Sequence, residues 1–385
     1  MGKNERIAAY IDLGAVRHNM ELMHEKVTSF AGGHEAAQMV AVVKTDAYGH
    51  GASRIAEEIQ GFDYLWGFAV ATAEEAFSLR DAGIKKPILI LGYVFPEHYE
   101  KLIEEEVRLT LIREDQAEEL SKAALALKKK ALTHVAIDTG MGRIGWKSGS
   151  SSVEELLRIS GLKGLFMEGI FTHFARADES DLGPAKRQLQ LFNSFIAEVE
   201  KRGLAFKLKH ASNSAGIFRL DESHLDLVRC GITLYGLKPS DEVSADVEGI
   251  RPILELKSHI IYIKEVCPGD EISYGGTFRA ERNMRVATIP AGYGDGYART
   301  LSNKGQVLIR GKRASILGRI CMDQFMADVT DIADAACGDE AVLIGSQGSE
   351  RISMEELGTL SGRFNYEFAC GINKRVPRVY INGSF

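Results

Sequence analysis

A lysine directly follows an uninterrupted run of small and β-branched apolar residues. The run is Val40–Val43 and the lysine is Lys44. Such a run is typical of a strand buried on both faces, so Lys44 is expected where that strand ends. A partly desolvated amine at that place can lose its proton and attack a carbonyl carbon. The alternative is that Lys44 only extends from the strand end into solvent, and position alone leaves both interpretations open.

Further polar residues follow later strand-like runs. Asp138–Arg143 combines a glycine-bearing turn with an arginine, His173 supplies an imidazole, and Arg229 supplies a permanent cation. A phosphate group is bound by hydroxyls and free backbone N–H groups, which Ser214 and the dipeptide Gly231-Ile232 offer. Each feature alone has a structural explanation, such as a helix cap at Ser214 or a buried core histidine at His173.

Eight predicted strands position these residues. They alternate with helical patterns, most clearly in Glu114–Lys128 and Pro184–Lys201, where apolar residues recur at helical spacing. Eight β–α steps within about 200 residues predict an α/β barrel of the (β/α)8 TIM type, with an open doubly wound sheet as the competing fold. In such a barrel the functional residues lie at the C-terminal ends of the strands. The predicted strands are Gln38–Val43, Trp66–Val70, Pro87–Leu91, Val107–Leu111, Thr133–Ile137, Leu165–Phe171, Phe206–His210 and Leu225–Val228.

The pattern changes after about residue 240. Asp241–Gly249 is polar, like a linker, and strand-like runs separated by glycine-, aspartate- and asparagine-bearing turns follow it. Only Ser353–Ser361 has a helical pattern there. We therefore predict a barrel domain over residues 1–240 and an all-β domain, a sandwich or partial barrel, over residues 241–385. The predicted β runs are Ile253–Val266, Arg285–Ile289, Gln306–Ile309, Ala314–Leu317, Met326–Val329 and Ala341–Ile344.

Composition narrows the class of protein. The 385 residues carry a net charge of −6 and show no basic stripe, which argues against a nucleic-acid partner. No run approaches the ~18 apolar residues that span a bilayer, and the N-terminus lacks the apolar core of a signal peptide. Five scattered cysteines without a C-x-x-C pair indicate reduced thiols in a cytoplasm, and argue against a disulfide framework or a zinc site.

A reactive lysine and a phosphate site at one barrel mouth together point to pyridoxal 5′-phosphate. The lysine holds the aldehyde of this cofactor as an imine, and the phosphate anchors the other end of the ring.

Eight motifs, in order along essentially the whole chain, resemble those of the alanine racemase family. The resemblance implies a cytoplasmic pyridoxal-phosphate enzyme that interconverts L- and D-alanine and supplies D-alanine for peptidoglycan. It also implies a homodimer whose active sites are shared between subunits. The motifs are Val42–Gly51, Asp138–Gly145, Thr172–Ala175, Leu227–Leu237, Ile272–Gly275, Gly292–Gly296, Gly318–Gln324 and Arg375–Arg378.

The resemblance also implies roles for single residues. Lys44 would carry the Schiff base, His173 would support the cofactor ring, and Arg229 would face the pyridine nitrogen. A guanidinium cannot accept the ring proton, so the ring would stay a weaker electron sink and side reactions would be fewer. The implied phosphate ligands are Tyr48, Ser214, Gly231, Ile232 and Tyr366.

Racemisation requires a proton to leave one face of the α-carbon and another to arrive on the opposite face. Two acid/base groups meet this requirement better than one. Lys44 is the first, and the resemblance implies that Tyr274 of the second subunit is the other. The backbone N–H of Met322 would bind the substrate carboxylate, and Arg143 would steady Tyr274 and that carboxylate. Tyr293, Cys321 and Asp323 would enter the site with Met322 from the second subunit.

One position departs from the pattern of many relatives. They carry a carbamylated lysine seven residues before the motif arginine, whereas this chain has Ala136 there. We hypothesise that a chloride ion or another side chain braces Arg143. Thr45 stands where relatives more commonly have alanine, and we expect the fold to tolerate this difference.

Three other functions stay open at this point. One is a racemase of serine, lysine or a broader range of amino acids, or a barrel-type decarboxylase. Another is a non-catalytic cofactor carrier, although such relatives resemble the barrel alone. The third is a structural protein that uses an all-β module for interaction.

Overall fold

The computed structural model describes residues 5–30 and 36–384, which form two compact units. The barrel unit consists of Arg17–Ala47 and Ala52–Arg251. The β-rich unit consists of the chain up to Val16, the short segment Tyr48–Gly51, and the chain from Pro252 onward. The domain boundary expected between residues 240 and 241 stays a prediction.

The barrel unit contains a closed barrel of eight parallel strands. The strands are numbered in chain order, β1 (Ile7–Asp12) belonging to the β-rich unit. The neighbours run β5-β4-β3-β2-β10-β9-β8-β6, and pairing of β6 with β5 closes the ring. The predicted barrel is therefore confirmed, and the open sheet is excluded. Its strands are β2 (Gln38–Val42), β3 (Leu65–Val70), β4 (Ile88–Ile90), β5 (Arg108–Leu111), β6 (Ala131–Asp138), β8 (Leu165–Phe171), β9 (Leu208–His210) and β10 (Leu227–Cys230), while the short β7 (Trp146–Lys147) pairs with the end of β6.

A helix precedes β2, and further helices connect the barrel strands. The predicted helix at Glu114 ends two residues early, because Lys128 adopts a positive φ of 55° that a right-handed helix cannot contain. Buried apolar residues face the barrel from each long helix, as their spacing predicts. The helices are Leu13–Phe30, Ala52–Ile59, Ala73–Asp81, Tyr99–Glu104, Glu114–Ala126, Ser150–Ser160, Gly183–Lys201 and Ser214–Arg219.

The β-rich unit is built on one ten-stranded sheet. Its order is β12-β15-β18-β17-β16-β19-β11-β1-β21, with β20 paired to β19, and β13 and β14 form a separate hairpin. The long run predicted at Ile253–Val266 is two strands, β11 and β12. The strands are β11 (Leu254–His259), β12 (Tyr262–Val266), β13 (Glu271–Ile272), β14 (Phe278–Arg279), β15 (Met284–Ile289), β16 (Gln306–Ile309), β17 (Lys312–Leu317), β18 (Phe325–Asp328), β19 (Glu340–Gln347), β20 (Glu350–Ile352) and β21 (Arg378–Ile381).

Two helices lie between β20 and β21 of the β-rich unit. Met354–Ser361 begins after Ser353, whose side chain accepts the backbone N–H of Glu356. The expectation of a single helix in this half is wrong, because Asn365–Cys370 forms a second one. Six residues span less than two turns, so no apolar periodicity marks this helix in the sequence. Across the described part of the chain, every helix is too short or too polar to cross a membrane.

Candidate active site

The turn after β2 carries Lys44 and has an unusual backbone. Met39, Val40 and Ala41 are fully buried in β2, as predicted, and Lys44 is half-buried at the end of the strand. The next four residues, Thr45 to Tyr48, have φ angles between 52° and 54° and form a left-handed turn. Each such residue costs roughly 1–2 kcal/mol outside glycine. Backbone strain of this kind persists where surrounding structure enforces it, and it clusters at functional sites.

Two carboxylates hold this turn. Glu75 accepts the backbone N–H groups of Thr45 and Ala71, the latter at 2.8 Å. Asp46 accepts the N–H of Ala52 at 2.8 Å, where the following helix begins. The strained geometry next to Lys44 is therefore stabilised from both sides.

Arg229 lies on β10 and makes four polar contacts. Its side chain is buried, and Nη2 donates to the carbonyls of Thr172 and Ala211, both at 2.8 Å. Nη1 contacts Nδ1 of His210 at 2.7 Å, and Nη2 contacts Nδ1 of His173 at 3.3 Å. Burial, and then the nearby charge of Arg143, lower the pKa of Arg229 to about 9, which leaves it cationic at neutral pH.

His173 is a neutral neighbour of three cations. Burial lowers its pKa to about 3, and the positive charges of Arg229, Arg143 and Lys44 act in the same direction. The structure thus brings together four of the predicted site residues at the C-terminal end of the barrel strands. Such an electropositive place suits an anionic ligand.

Arg143 lies in the loop after β6 and is exposed. Asp138 shapes this loop by accepting the N–H groups of Gly140 and Gly142, at 2.9 and 3.0 Å. Within residues 5–30 and 36–384, Arg143 makes no hydrogen bond or ion pair, and Ala136 is a buried methyl group of β6. A brace for Arg143 stays a hypothesis, while its positive charge lowers the pKa values of both Arg229 and His173.

The predicted phosphate ligands of the barrel unit converge on one hydroxyl. Oγ of Ser214 accepts the N–H of Gly231 at 3.0 Å and contacts Oγ1 of Thr233 at 3.0 Å. Ile232 begins a 3₁₀ helix that runs to Tyr235. The first N–H groups of such a helix lack intrahelical acceptors, and here those of Gly231 and Thr233 donate to Ser214. An anion bound at this place would compete with the Ser214 hydroxyl for these donors.

The segment Tyr48–Gly51 is fixed by the C-terminal strand within the β-rich unit. Arg378 donates from Nε and Nη2 to the carbonyl of Gly49, at 3.1 and 3.0 Å. The rings of Tyr48 and Tyr366, the two predicted phosphate-binding tyrosines, lie 6.0 Å apart. A Cβ on Gly49 would meet the carbonyl oxygen of Ala369 at 2.5 Å, and its φ of 84° also favours glycine.

Tyr274 and Met322 line one open concavity of the β-rich unit, together with Ser273, Cys321, Asp323, Gln324 and Met326. Ser273 has a φ of 68°, which is uncommon outside glycine, and its Oγ donates to the carbonyl of Arg319 at 2.5 Å. The next residue, Tyr274, is 68% exposed, and Met322 is 53% exposed. The concavity therefore presents an aromatic hydroxyl and an apolar side chain to its surroundings.

A buried carboxylate ties two of the motifs together. Asp295 is fully buried, accepts the N–H of Gly292 at 2.9 Å, and pairs with both Arg6 and Arg375. Arg375 also binds Asp323 at 2.7 Å. The arrangement fixes the loop of Met322 relative to the Gly292–Gly296 motif.

Comparison with known proteins decides the family. The sequence model described as "Alanine racemase, N-terminal domain" matches residues 11–239, and "Alanine racemase, C-terminal domain" matches residues 253–380. The chain belongs to the alanine racemase family. It is therefore an amino-acid racemase that acts on alanine with pyridoxal 5′-phosphate, the cofactor on which the family depends.

Alanine racemases of several organisms resemble the chain over nearly its whole length. The enzyme of Desulforamulus reducens is 43% identical over 98% of this chain and 99% of its own. The enzyme of Clostridium perfringens is 42% identical over 97% of this chain and 94% of its own. These relatives are alanine racemases, so the comparisons support alanine racemisation as the function of the chain.

Solved alanine racemase structures share the fold. That of Clostridium difficile 630 has a TM-score of 0.90 at 36% identity and covers 97% of this chain and 95% of its own. That of Bacillus anthracis with bound L-Ala-P has a TM-score of 0.89 at 35% identity, covering 98% and 95%.

Some contacts at the site were not expected from the sequence. His210 binds Arg229 directly, and its place as the last residue of the seventh predicted strand was the available signal. Gln188, on the helix Gly183–Lys201, fixes the loop after β8, because it donates to the carbonyl of His173 and accepts the N–H of Ala175, at 3.1 and 2.9 Å. The pairing of Arg378 with Gly49 joins residues 329 positions apart, and no local pattern indicates it.

Proposed function

We propose that Lys44 and Tyr274 are the two bases of the alanine racemase reaction, each serving one face of the α-carbon. The observation that carries this is the placement of Lys44 at a barrel strand end beside His173, Arg143 and Arg229. Two arginine cations and a neutral imidazole beside Lys44 favour an amine that must work without its proton and next to an anionic ligand. Tyr274, exposed on a strained turn, is free to meet a second molecule.

The residues of the barrel unit suit pyridoxal phosphate. When bound, this group supplies an electron-withdrawing ring that stabilises the charge left after alanine loses its α-proton. Arg229 would bind the ring nitrogen, and its four fixed contacts keep the guanidinium in place. His173 would pack at the ring as a neutral group.

Five residues would hold the phosphate. Ser214 presents a hydroxyl beside the backbone N–H groups of Gly231 and Ile232, at the start of a 3₁₀ helix. Tyr48 and Tyr366, paired in the β-rich unit, would add two phenol donors. Phosphate is bound by such a mixture of hydroxyl and backbone donors.

Substrate would be held by Arg143 and by the backbone N–H of Met322. Arg143 is exposed and unpaired within the described residues, so its charge is available to a carboxylate. Arg375 steadies the Met322 loop through Asp323.

The active site would be shared between two subunits of a homodimer. Tyr274, Met322 and Tyr293 are 68%, 53% and 42% exposed although they belong to motifs with chemical roles. Exposed aromatic and methionine side chains mark surfaces that contact another protein. Tyr293, Cys321, Met322 and Asp323 would thus enter the site of the partner chain together with Tyr274.

Mixing two inactive variants tests the shared site. In a dimer of Lys44→Ala with Tyr274→Phe, one of the two sites contains both native groups. Random reassociation at equal concentrations is expected to restore about a quarter of the native activity, since half of the dimers are mixed and half of their sites are intact. No recovery after reassociation would contradict a shared site.

The enzyme is further proposed to act in the cytoplasm and to supply D-alanine for peptidoglycan. We also retain 1–240 as the barrel domain and 241–385 as the β-strand-rich domain. Borohydride reduction of the holoenzyme tests the cofactor attachment. We expect the pyridoxyl group on Lys44 alone, with Lys147→Ala as a control that labels normally; labelling of another lysine would overturn the assignment.

A further inference from the structure

A chain of buried polar side chains leads away from Arg229 through the barrel interior. After the contact of Arg229 with Nδ1 of His210, Nε2 of His210 lies 2.9 Å from Nδ1 of His134. Nε2 of His134 faces Oε2 of Glu168 at 3.6 Å, and Glu168 is bound by Nε of Arg108 at 2.9 Å. Both histidines are fully buried, so their ring nitrogens have no access to water.

The contacts permit only one direction of hydrogen bonding. A guanidinium has donors and no acceptor, so Nδ1 of His210 must accept and its proton must sit on Nε2. His210 then donates to Nδ1 of His134, whose proton must also sit on Nε2. That nitrogen makes no hydrogen bond within the described residues, and Oε2 of Glu168, 3.6 Å away, attracts its proton electrostatically. Arg108 donates a hydrogen bond to the same carboxylate oxygen.

We propose that Glu168 is a positioning residue for Arg229, because its carboxylate faces the end of a one-way chain of hydrogen bonds and attracts the Nε2 proton of His134, which fixes the ring tautomers of His134 and His210. With His210 held as an acceptor, Nη1 of Arg229 has one fixed partner inside the barrel. The functional consequence rests on the proposed contact of Arg229 with the cofactor, whereas the ring tautomers do not depend on that contact.

Neighbouring residues hold the hydrogen-bonded histidines in place. The ring of Phe171 stacks on that of His210, with ring centres 4.9 Å apart. The Arg229 guanidinium lies 5.6 Å from the centre of the Phe171 ring. Trp66 packs near both His134 and Arg108. Gly169 is required by the His134 ring, because a Cβ there would lie 2.5 Å from Nδ1. Aromatic side chains and Gly169 therefore restrict the positions of the His210 and His134 rings.

The charges of the chain agree with the assigned protons. Burial and the positive charge of Arg229 lower the pKa of His210, and burial chiefly lowers that of His134, so both rings are neutral. Burial opposes ionisation of Glu168, but the nearby ring of His134 and the hydrogen bond from Arg108 lower its pKa to about 2. An ionised acceptor therefore stands at one end and a cationic donor at the other.

Nitrogen NMR of the cofactor-free protein labelled with ¹⁵N-histidine tests the tautomers directly. We expect His210 and His134 to carry their proton on Nε2 and to have an unprotonated Nδ1. A proton on Nδ1 of either ring, or a doubly protonated ring, would overturn the proposal. This result does not depend on where the cofactor is attached, so it can fail or hold separately from the borohydride experiment.

Variants then test the role of Glu168. In Glu168→Ala we expect mixed tautomers, exchange of the two ring N–H protons at least about tenfold faster, and a shifted visible absorption band of the bound cofactor. Glu168→Gln keeps an acceptor oxygen and is expected to retain the native tautomers. Gly169→Ala, which displaces His134 without removing a polar group, is expected to match Glu168→Ala.

The matched control is Glu58→Ala, which removes a comparably buried carboxylate that pairs with Arg17 in the same unit. It is expected to leave both ring tautomers and the absorption band unchanged. Native tautomers and an unshifted band in folded Glu168→Ala would refute the positioning role, as would equal shifts in Glu58→Ala.

Discussion

Arg229 donates a hydrogen bond from Nη1 to Nδ1 of His210 at 2.7 Å, deep inside the barrel. The same guanidinium binds two backbone carbonyls, those of Thr172 and Ala211. A planar five-donor group can serve these separate acceptors at once, whereas the compact ammonium of lysine cannot reach them all. The contacts of Arg229 with His210, Thr172 and Ala211 therefore require an arginine at this position.

Arg229→Lys is expected to lower the free energy of unfolding by about 2–3 kcal/mol, because hydrogen bonds between a charged group and buried acceptors are lost. Urea unfolding of the cofactor-free protein measures this. Arg158→Lys, at an exposed pair with Glu114, is the control and should change stability by less than about 0.5 kcal/mol. A change as small as the control's at Arg229 would contradict the account.

Glu168 makes stability depend on pH in a defined direction. Its pKa is about 2 in the folded protein against about 4.3 for an unfolded chain. The stabilisation is complete above the unfolded value and is lost as pH falls towards 2. Relative to Glu168→Gln, the free energy of unfolding of the native chain should fall by about 3 kcal/mol between pH 5 and pH 2. Unfolding curves of both proteins across this range that stay parallel would exclude the pairing.

Arg378→Ala should weaken cofactor binding more than it affects turnover. The side chain binds the carbonyl of Gly49, next to Tyr48, and removing it frees the segment that carries a predicted phosphate ligand. We expect the dissociation constant of pyridoxal phosphate to rise about tenfold, which corresponds to about 1.4 kcal/mol. Fluorescence titration of the cofactor-free protein measures it. Arg279→Ala, at an exposed arginine of the same unit, should bind normally.

Asp295→Asn should destabilise the β-rich unit by about 3–5 kcal/mol, since it removes the buried charge that two arginines share. The loop of Met322 would loosen with Arg375, so the KM for alanine should rise more than kcat falls. Thermal unfolding and steady-state kinetics together measure these changes. Asp331→Asn at an exposed site is the control, and identical kinetics in the two variants would refute the link.

The barrel was predictable because its signals are local. Each buried strand is a short apolar run, each long helix carries its own periodicity, and the polar residues at strand ends mark one rim. This rule selected Lys44, His173 and Arg229 as candidates, and the family resemblance implied their roles. His210 satisfies the same rule but was not selected, because a histidine ending a strand is equally typical of a satisfied core residue.

The β-rich unit was less predictable because its decisive contacts are remote in sequence. β1 pairs with β11 and β21, so Ile7 lies opposite Ser258 and Ala9 opposite Arg378. A short apolar run at the start of a chain gives no indication of such partners. Asp295 likewise reads as a turn residue in Gly292–Gly296, and its pairing with Arg6 and Arg375 emerges only in the folded chain.

The central claim is that two bases act on opposite faces of alanine, and single-turnover hydrogen exchange tests it most directly. Lys44→Ala and Tyr274→Phe holoenzymes would each be mixed with L- or D-alanine in deuterated water, and deuterium entry at the α-carbon followed. We predict that each variant loses proton abstraction from one enantiomer, and that the two variants lose opposite enantiomers. Equal loss for both enantiomers in either variant would contradict the two-base account.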